Sequence, residues 1–274
     1  MNLHGRNVVI TGASQGIGEK MADAFAAKGA NLLLVARSGE KLATISNRVG
    51  GSFMAADLTD EFALDSLVAD CLGRLQHIDV WVNNAGVETE DAFVHIPRDD
   101  IRTLARLNFE APLMLTRDVL PHMLKRGEGH IVQMSSLAGA MVFPGLTAYA
   151  GSKAGLTNFT ESLRLELRHS NVGLTLVAPG PVDTEMWDRI QAPSAWPAPA
   201  LNRFRHLRFL PKVNPAKLAS DVVAAVEANK RYVRPKHRFL MYHTLNNAPR
   251  RLVEASMTGV KMQPLKPTDQ SVSR

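Results

Sequence analysis

Short apolar runs alternate with longer segments of helical period along the first 180 residues. The runs, rich in leucine or β-branched residues, lie at 8–10, 31–35, 52–55, 79–82, 130–134 and 173–177. Runs this short and this continuously apolar suit strands buried on both faces. The segment 16–28 places Ile17, Met21, Ala24 and Phe25 on one face of a helix. Further helical patterns cover 60–75, 99–125 with a break around Pro112, and 149–168. Strands alternating with helices predict βαβ units. Right-handed crossovers then give an α/β fold, a doubly wound parallel sheet with helices on both faces.

The pattern changes after Pro181. Residues 185–212 hold Trp187, Trp196 and four prolines with little periodicity, and read as a lid made of loop and short helices. A helix resumes over 215–228, with Asn214 as N-cap and Pro215 in the first turn. A short strand is expected at 231–234. A basic helical segment follows at about 236–262, and residues 263–274 read as a polar, flexible tail. The expected organisation is one domain over 1–262.

With 274 residues and a net charge of +6, the chain has the composition of an ordinary globular protein. Its single cysteine, Cys71, excludes an intrachain disulfide and a cysteine-cluster metal site, and reads as a core or half-buried thiol; no metal site is expected. From Arg203 to Arg251 there are 12 lysines and arginines against Asp221 and Glu227. The positive charge therefore belongs to the C-terminal part. Neither a leader with an apolar core nor a run long enough to span a bilayer is visible. The expected compartment is the cytoplasm, with membrane association through the basic segment as a variant.

Gly12, Gly16 and Gly18 lie between the first strand and the first helix. They serve a tight turn, backbone approach to a pyrophosphate, and close packing of helix on sheet. The spacing, three residues and then one, differs from the dinucleotide fingerprint of longer dehydrogenases. At the end of the second strand stands Arg37, with no carboxylate beside it. A guanidinium there suits a ribose 2′-phosphate, so NADP(H) is expected over NAD(H). Asp57-Leu58 after the third strand offers an acceptor to an adenine amino group, with helix capping as the competing role. Asn83, Ala85 and Gly86 close the fourth strand, at an edge where open α/β sheets bind ligands. Ser135-Ser136 ends the fifth strand. Tyr149 and Lys153 are four apart and share a helix face. A phenol beside an ammonium is a tunable acid, and Lys153 together with an oxidised nicotinamide is expected to favour the Tyr149 phenolate and move it toward neutrality. Ser136 is placed to hydrogen-bond a substrate oxygen.

With these motifs in order from about Gly5 to Thr184, the chain resembles the short-chain dehydrogenase/reductase family in its single-domain branch. The resemblance implies a Rossmann-type fold and site roles at matching positions. Tyr149 would be the catalytic acid/base and Lys153 would tune it and hold the nicotinamide ribose. Ser136, rather than Ser135, would orient the carbonyl, and Asn108 would anchor a water in a proton relay. The cofactor would lie along Gly12, Ser14, Gln15, Gly16, Ile17 and Gly18, then Arg37, Asp57 and Leu58, then Asn83, Ala85 and Gly86. Pro179, Gly180, Val182 and Thr184 would cradle its nicotinamide end. Gln15 departs from the basic residue common before the middle glycine in NADP-preferring relatives. The long helices would form a homodimer or homotetramer.

The expected activity is hydride transfer between NADP(H) and a carbonyl or secondary alcohol. Apolar residues in the lid (Met186, Trp187, Ile190, Trp196, Leu201, Phe204, Leu207) and near Ser136 (Leu137, Met141, Val142, Phe143, Leu146) favour a lipid-, steroid- or acyl-like substrate. The bland alternative makes them core or subunit contacts. The basic segment fits a solvated surface, an acidic acyl carrier, or an anionic membrane joined through Phe209, Leu210, Phe239, Leu240, Met241, Leu245, Leu252 and Val253. No motif points to nucleic acid. A non-catalytic NADP-binding redox sensor is the alternative from another class.

Overall fold

The computed structural model describes residues 1–192, 195–206 and 212–234, without the side chains of 204 and 205. The basic segment at 236–262, the tail at 263–274, the apolar residues named with them, and Leu207, Phe209 and Leu210 of the lid lie outside the described residues.

Seven parallel strands form one sheet in the order β3-β2-β1-β4-β5-β6-β7. They are β1 (Asn7–Thr11), β2 (Asn31–Ala36), β3 (Ser52–Ala55), β4 (Val80–Asn83), β5 (Gly129–Met134), β6 (Val172–Val177) and β7 (Tyr232–Val233). The helices are α1 (Gly16–Ala26), α2 (Gly39–Val49), α3 (Glu61–Leu75), α4 (Arg98–Ala105), α5 (Ala111–Arg126), α6 (Thr147–Glu166), α7 (Glu185–Ile190), α8 (Ala198–His206) and α9 (Pro215–Glu227). Strand order reverses between β1 and β4, which pair through Val8–Val80 and Ile10–Val82. The crevice at that switch point is where doubly wound sheets take ligands.

Side-chain alternation splits the core into two layers. Val8, Ile10, Leu32 and Leu34 pack against Met21 and Phe25 of α1, Leu42 of α2 and Val222 and Val226 of α9. Val9, Leu33, Trp81 and Ile131 turn to the other face, against Leu67 and Cys71 of α3, Leu115 and Val119 of α5 and Leu163 of α6. Cys71 is a core thiol, pushed up to about 12 by burial.

Two local differences from the sequence reading have plain causes. Helix α2 was not expected; Ser38 caps it by accepting from Lys41 N, and Gly50 ends it in a left-handed turn. The long helix breaks at a π turn over Arg106–Glu110, not at Pro112, which sits harmlessly in the first turn of α5. Of the residues that compete to cap α3, Asp57, Thr59 and Asp60, it is Asp60 that does so, through Ala63 N at 2.8 Å. In the lid, α7 and α8 account for 15 residues. Among the described residues no helix is long and apolar enough to cross a membrane.

At the N-terminal edge of the sheet, Asp79 is fully buried. Its carboxylate accepts from Arg6 Nη1 at 2.8 Å, Arg126 Nη2 at 3.1 Å and Asn7 N at 2.8 Å. These bonds outweigh desolvation and hold its carboxyl below the usual range. Asp79→Asn should cost about 3 kcal/mol of unfolding free energy, because two arginines lose a buried partner. Denaturant unfolding monitored by circular dichroism measures that cost.

His130 of β5 is buried, with Nε2 2.7 Å from Thr175 Oγ1 on β6. Burial drops its pKa from 6.5 to about 4. The folded state thus binds this proton less readily than the unfolded chain, so stability is lost as pH falls from about 6.5 toward 4. The wild type should show that slope in unfolding midpoint, and His130→Gln should flatten it.

Candidate active site

The C-terminal edge of the sheet opens into a cleft of about 1070 Å³. One wall begins at the turn after β1. Gly12 and Gly16 adopt left-handed backbone, φ +65° and +60°. A Cβ on Gly12 would sit 2.7 Å from Ala85 Cα, and one on Gly18 would collide with the Gly12 carbonyl and lie 2.6 Å from Asn84 Nδ2. By contrast a Cβ on Gly16 would meet only Thr184 Cγ2, at 3.7 Å. The turn is therefore packed tightly from below and open above. Gln15, the N-cap of α1, makes no side-chain capping bond. The free N–H groups of the first turn of α1 face an anion-sized space, which fits a pyrophosphate.

Beyond the turn, Arg37 and Lys41 line the same cleft. Arg37 is exposed and makes no ion pair among the described residues. Lys41 Nζ donates to Gln15 Oε1 at 3.3 Å. A lysine on α2 thus reaches the position where the glycine turn lacks a basic residue of its own. Asp57 accepts from Thr59 N at 2.9 Å and Thr59 Oγ1 at 2.8 Å, which fixes the carboxylate beside Leu58 on the cleft wall.

Four successive residues from the end of β4 divide the work. Asn83 is a correction to the sequence reading, because it does not line the cleft. Its side chain is buried, accepting from Trp81 Nε1 at 2.8 Å and donating to Thr116 Oγ1 and Gln133 Oε1 at 3.1 Å each. Asn84, the second amide of this edge and not among the expected cofactor residues, donates instead to Thr11 O at 2.9 Å and Gly12 O at 3.1 Å and clamps the glycine turn. The doubled asparagine was the available signal; strand parity decides which of the two turns inward. Ala85 and Gly86 do line the cleft. A Cβ on Gly86 would lie 2.9 Å from Asn108 Oδ1 and 3.4 Å from Lys153 Nζ.

Asn108 sits in the π turn and is fully buried. Its Oδ1 accepts from Val87 N at 2.9 Å, and its Nδ2 donates to Val87 O at 2.7 Å and Ser152 Oγ at 3.2 Å. The amide is committed to the backbone of the β4 loop, so a water could be anchored here only by main-chain atoms. The π turn, which breaks the regular ladder, is where such atoms are freed.

The opposite wall carries Ser136, Tyr149 and Lys153. Ser135 turns its hydroxyl away, donating to Lys153 O at 3.0 Å and lying 2.7 Å from Thr157 Oγ1. Ser136 Oγ accepts from Ala138 N at 3.1 Å. Its proton is left for the Tyr149 oxygen, and that hydrogen bond favours the phenolate. Lys153 Nζ donates to Met134 O at 2.9 Å and lies 5.8 Å from the centroid of the Tyr149 ring.

Tyr149 is expected to move toward neutrality under Lys153 and an oxidised nicotinamide together; the polypeptide alone pushes it up to about 12, chiefly by burial and further by the Glu88 carboxylate. Lys153 is itself brought down to about 8 by burial. Desolvation outweighs the serine hydrogen bond, and the phenol rests in its acid form.

Pro179, Gly180, Val182 and Thr184 close the cleft above the glycine turn. Pro179 O accepts from Leu137 N at 2.8 Å. Val182 bridges to Val213, and Thr184 caps α7. An apolar flank is built from Leu137, Phe143, Leu146, Ile190 and Leu201, with Met186 and Trp187 against it. Met141 is buried in that cluster, whereas Val142 is exposed and Trp196 does not line the cleft.

Comparison with known proteins agrees with this geometry. A family model described as short chain dehydrogenase matches residues 6–195. The oxidoreductase UcpA of Salmonella typhimurium is 39% identical over 194 residues, 69% of this chain and 73% of that protein. A short-chain dehydrogenase from Streptomyces avermitilis superposes with a TM-score of 0.75 at 28% identity, covering 93% of this chain and 95% of that one. A metagenomic short-chain oxidoreductase in complex with NADP superposes with a TM-score of 0.70 at 31% identity, covering 86% of this chain and all of that one. The shared sheet, the matched glycine turn and the gathered serine, tyrosine and lysine lead to one conclusion: this chain belongs to the short-chain dehydrogenase/reductase family of nicotinamide-dependent oxidoreductases.

Proposed function

We propose that this protein is an NADP(H)-dependent carbonyl reductase or alcohol dehydrogenase acting on a largely apolar substrate. The observation that carries the reading is the convergence of Ser136, Tyr149 and Lys153 on one wall of the cleft that the glycine turn opens. When bound, the nicotinamide dinucleotide supplies or accepts the hydride. Ser136 and Tyr149 donate hydrogen bonds to the substrate carbonyl oxygen, and Tyr149 transfers its proton as charge develops there. Lys153 sets a positive charge beside the phenolate that remains. The residues Gly12 to Gly18 and Pro179 to Thr184 bind and orient the cofactor between them.

Reduction consumes a proton, and the Tyr149 phenol carries one in its acid form. NADP over NAD rests on Arg37 after β2 and Lys41 in α2, two cations that line the cleft while Glu40 between them does not, and on the NADP bound by the metagenomic relative. The apolar flank supports a lipid-, steroid- or acyl-like ketone. Self-association through α5 and α6 is part of the same reading; Met114 and Leu165 stay 41% and 69% exposed on them. Contacts of the basic C-terminal segment with a membrane or an acyl carrier stay proposals from sequence alone.

Tyr149→Phe should bind NADPH within about twofold of wild type and lose turnover of a ketone by about 100-fold or more. NADPH fluorescence titration and absorbance assays over a ketone panel read the two quantities. Tight NADPH binding without turnover of any carbonyl by the wild type would favour the redox-sensor alternative. Arg37→Ala should weaken NADPH binding by about tenfold or more while leaving NADH binding nearly unchanged, through loss of charge-assisted bonds to the 2′-phosphate. Equal losses for both cofactors would contradict the NADP assignment.

A further inference from the structure

Glu88 lies two residues beyond Gly86, on the loop leaving β4, and lines the cleft together with Tyr149. Its side chain is only 2% exposed. Arg189 of α7 reaches it from the lid, with Nη2 at 2.6 Å and Nε at 3.2 Å. Both nitrogens fall on the same oxygen, Oε1. The other oxygen, Oε2, is buried and has no hydrogen-bond partner among the described residues. A guanidinium whose sole task was to hold the lid would pair fork to fork with both oxygens. Burying an unpartnered carboxylate oxygen is costly, and such groups are rare in folded proteins. The charge is also felt at the reacting phenol, since Glu88 raises the pKa of Tyr149. Trp187, on the same helix as Arg189 and also lining the cleft, has a buried indole N–H without a partner among the described residues. An acceptor and a donor are thus buried and unpartnered in two residues that line a cleft whose other flank is apolar.

We propose that Glu88 is a specificity-determining residue whose Oε2 accepts a hydrogen bond from a hydroxyl group on the substrate, making apolar hydroxyketones, and the diols formed from them, the substrate class. A hydroxyl fits better than an ammonium. Arg189 already neutralises the carboxylate, so a second cation would leave excess positive charge in a buried site. This inference rests on the carbonyl-reductase reading above and narrows it.

The test compares three-member ketone sets at two spacings. One set is acetophenone with its α-hydroxy and α-methoxy derivatives; the other is benzylacetone with its β-hydroxy and β-methoxy derivatives. The ether keeps the oxygen but cannot donate. NADPH oxidation gives kcat/KM, and quenching of tryptophan fluorescence in the cofactor-loaded protein gives binding. In at least one set the wild type should prefer the hydroxyketone over both other members by about 10- to 100-fold. In Glu88→Gln, Arg189 holds the amide oxygen and the amide NH2 takes the place of Oε2; that donor serves ether and hydroxyl alike, and should bring the hydroxyl-to-ether ratio within about threefold. Equal turnover of all members by the wild type would overturn the proposal while leaving the reductase reading intact. Selective binding of a hydroxyketone without turnover would keep the hydroxyl site and sink the reductase. Retention of the full preference in Glu88→Gln overturns the role of Glu88. Where Glu88→Gln fails to fold, Glu88→Ala carries the same comparison, and the wild-type ratio by itself can still overturn the hydroxyl preference.

Discussion

Lys153 carries a positive charge into the interior, where the Met134 carbonyl at 2.9 Å is its protein acceptor. Isolated burial of an ammonium is costly, and the fall of its pKa to about 8 expresses that cost. The position holds because α6 is pinned to the end of β5 from two sides. Ser135 ties its hydroxyl to the Lys153 carbonyl, and Gly139 lets the chain pass so close that a Cβ would lie 2.8 Å from that same oxygen. With the amine fixed, Tyr149 one turn earlier is fixed as well, and its oxygen meets Ser136 at the mouth of the cleft. The catalytic wall is thus one helical turn docked on one strand end, and its electrostatics follow from how little water reaches it.

The facing wall depends on a different economy of polar groups. Among the four residues after Val82, Asn83 locks the strand to α5, Asn84 locks it to the glycine turn, and Gly86 leaves room for Asn108 and Lys153. Asn108 then closes two hydrogen bonds on Val87 from a helix that has been widened by one residue. A regular helix would rotate every following side chain of α5 by about 100° relative to the π turn. The bulge therefore reconciles two demands, an inward Asn108 and an inward apolar stripe through Leu115 and Val119.

Much of this was legible in the chain. The buried strands announced themselves as short apolar runs because parallel strands covered on both faces have no polar side to show. The glycine turn, Arg37 and the pair of Tyr149 and Lys153 were legible because their spacing alone sets geometry. Helix α2 was missed because its helical signal is short and its ends rest on Ser38 and Gly50, which also read as loop residues. The choice between Asn83 and Asn84 was illegible because parity at the end of a strand depends on where the strand stops. The direction in which the polypeptide alone moves Tyr149 was illegible for a further reason. The neighbours of a charge can be read along a helix, but its burial is a property of the whole cleft, to which α7 and the β4 loop contribute from 36 or more residues away.

The same distance explains why Glu88 and Arg189, 101 residues apart, carry no sequence signature. Their pairing nonetheless links the lid to the chemistry. Glu88 opposes ionisation of Tyr149, whereas Ser136 favours it. Arg189 offsets the carboxylate only while α7 is seated, and α7 is seated by Thr184, the residue that also faces Gly16 across the glycine turn. Displacing α7 would bare the Glu88 charge and make the phenol a still weaker acid. The ion pair that joins α7 to the β4 loop therefore involves the same carboxylate that opposes ionisation of the reacting phenol.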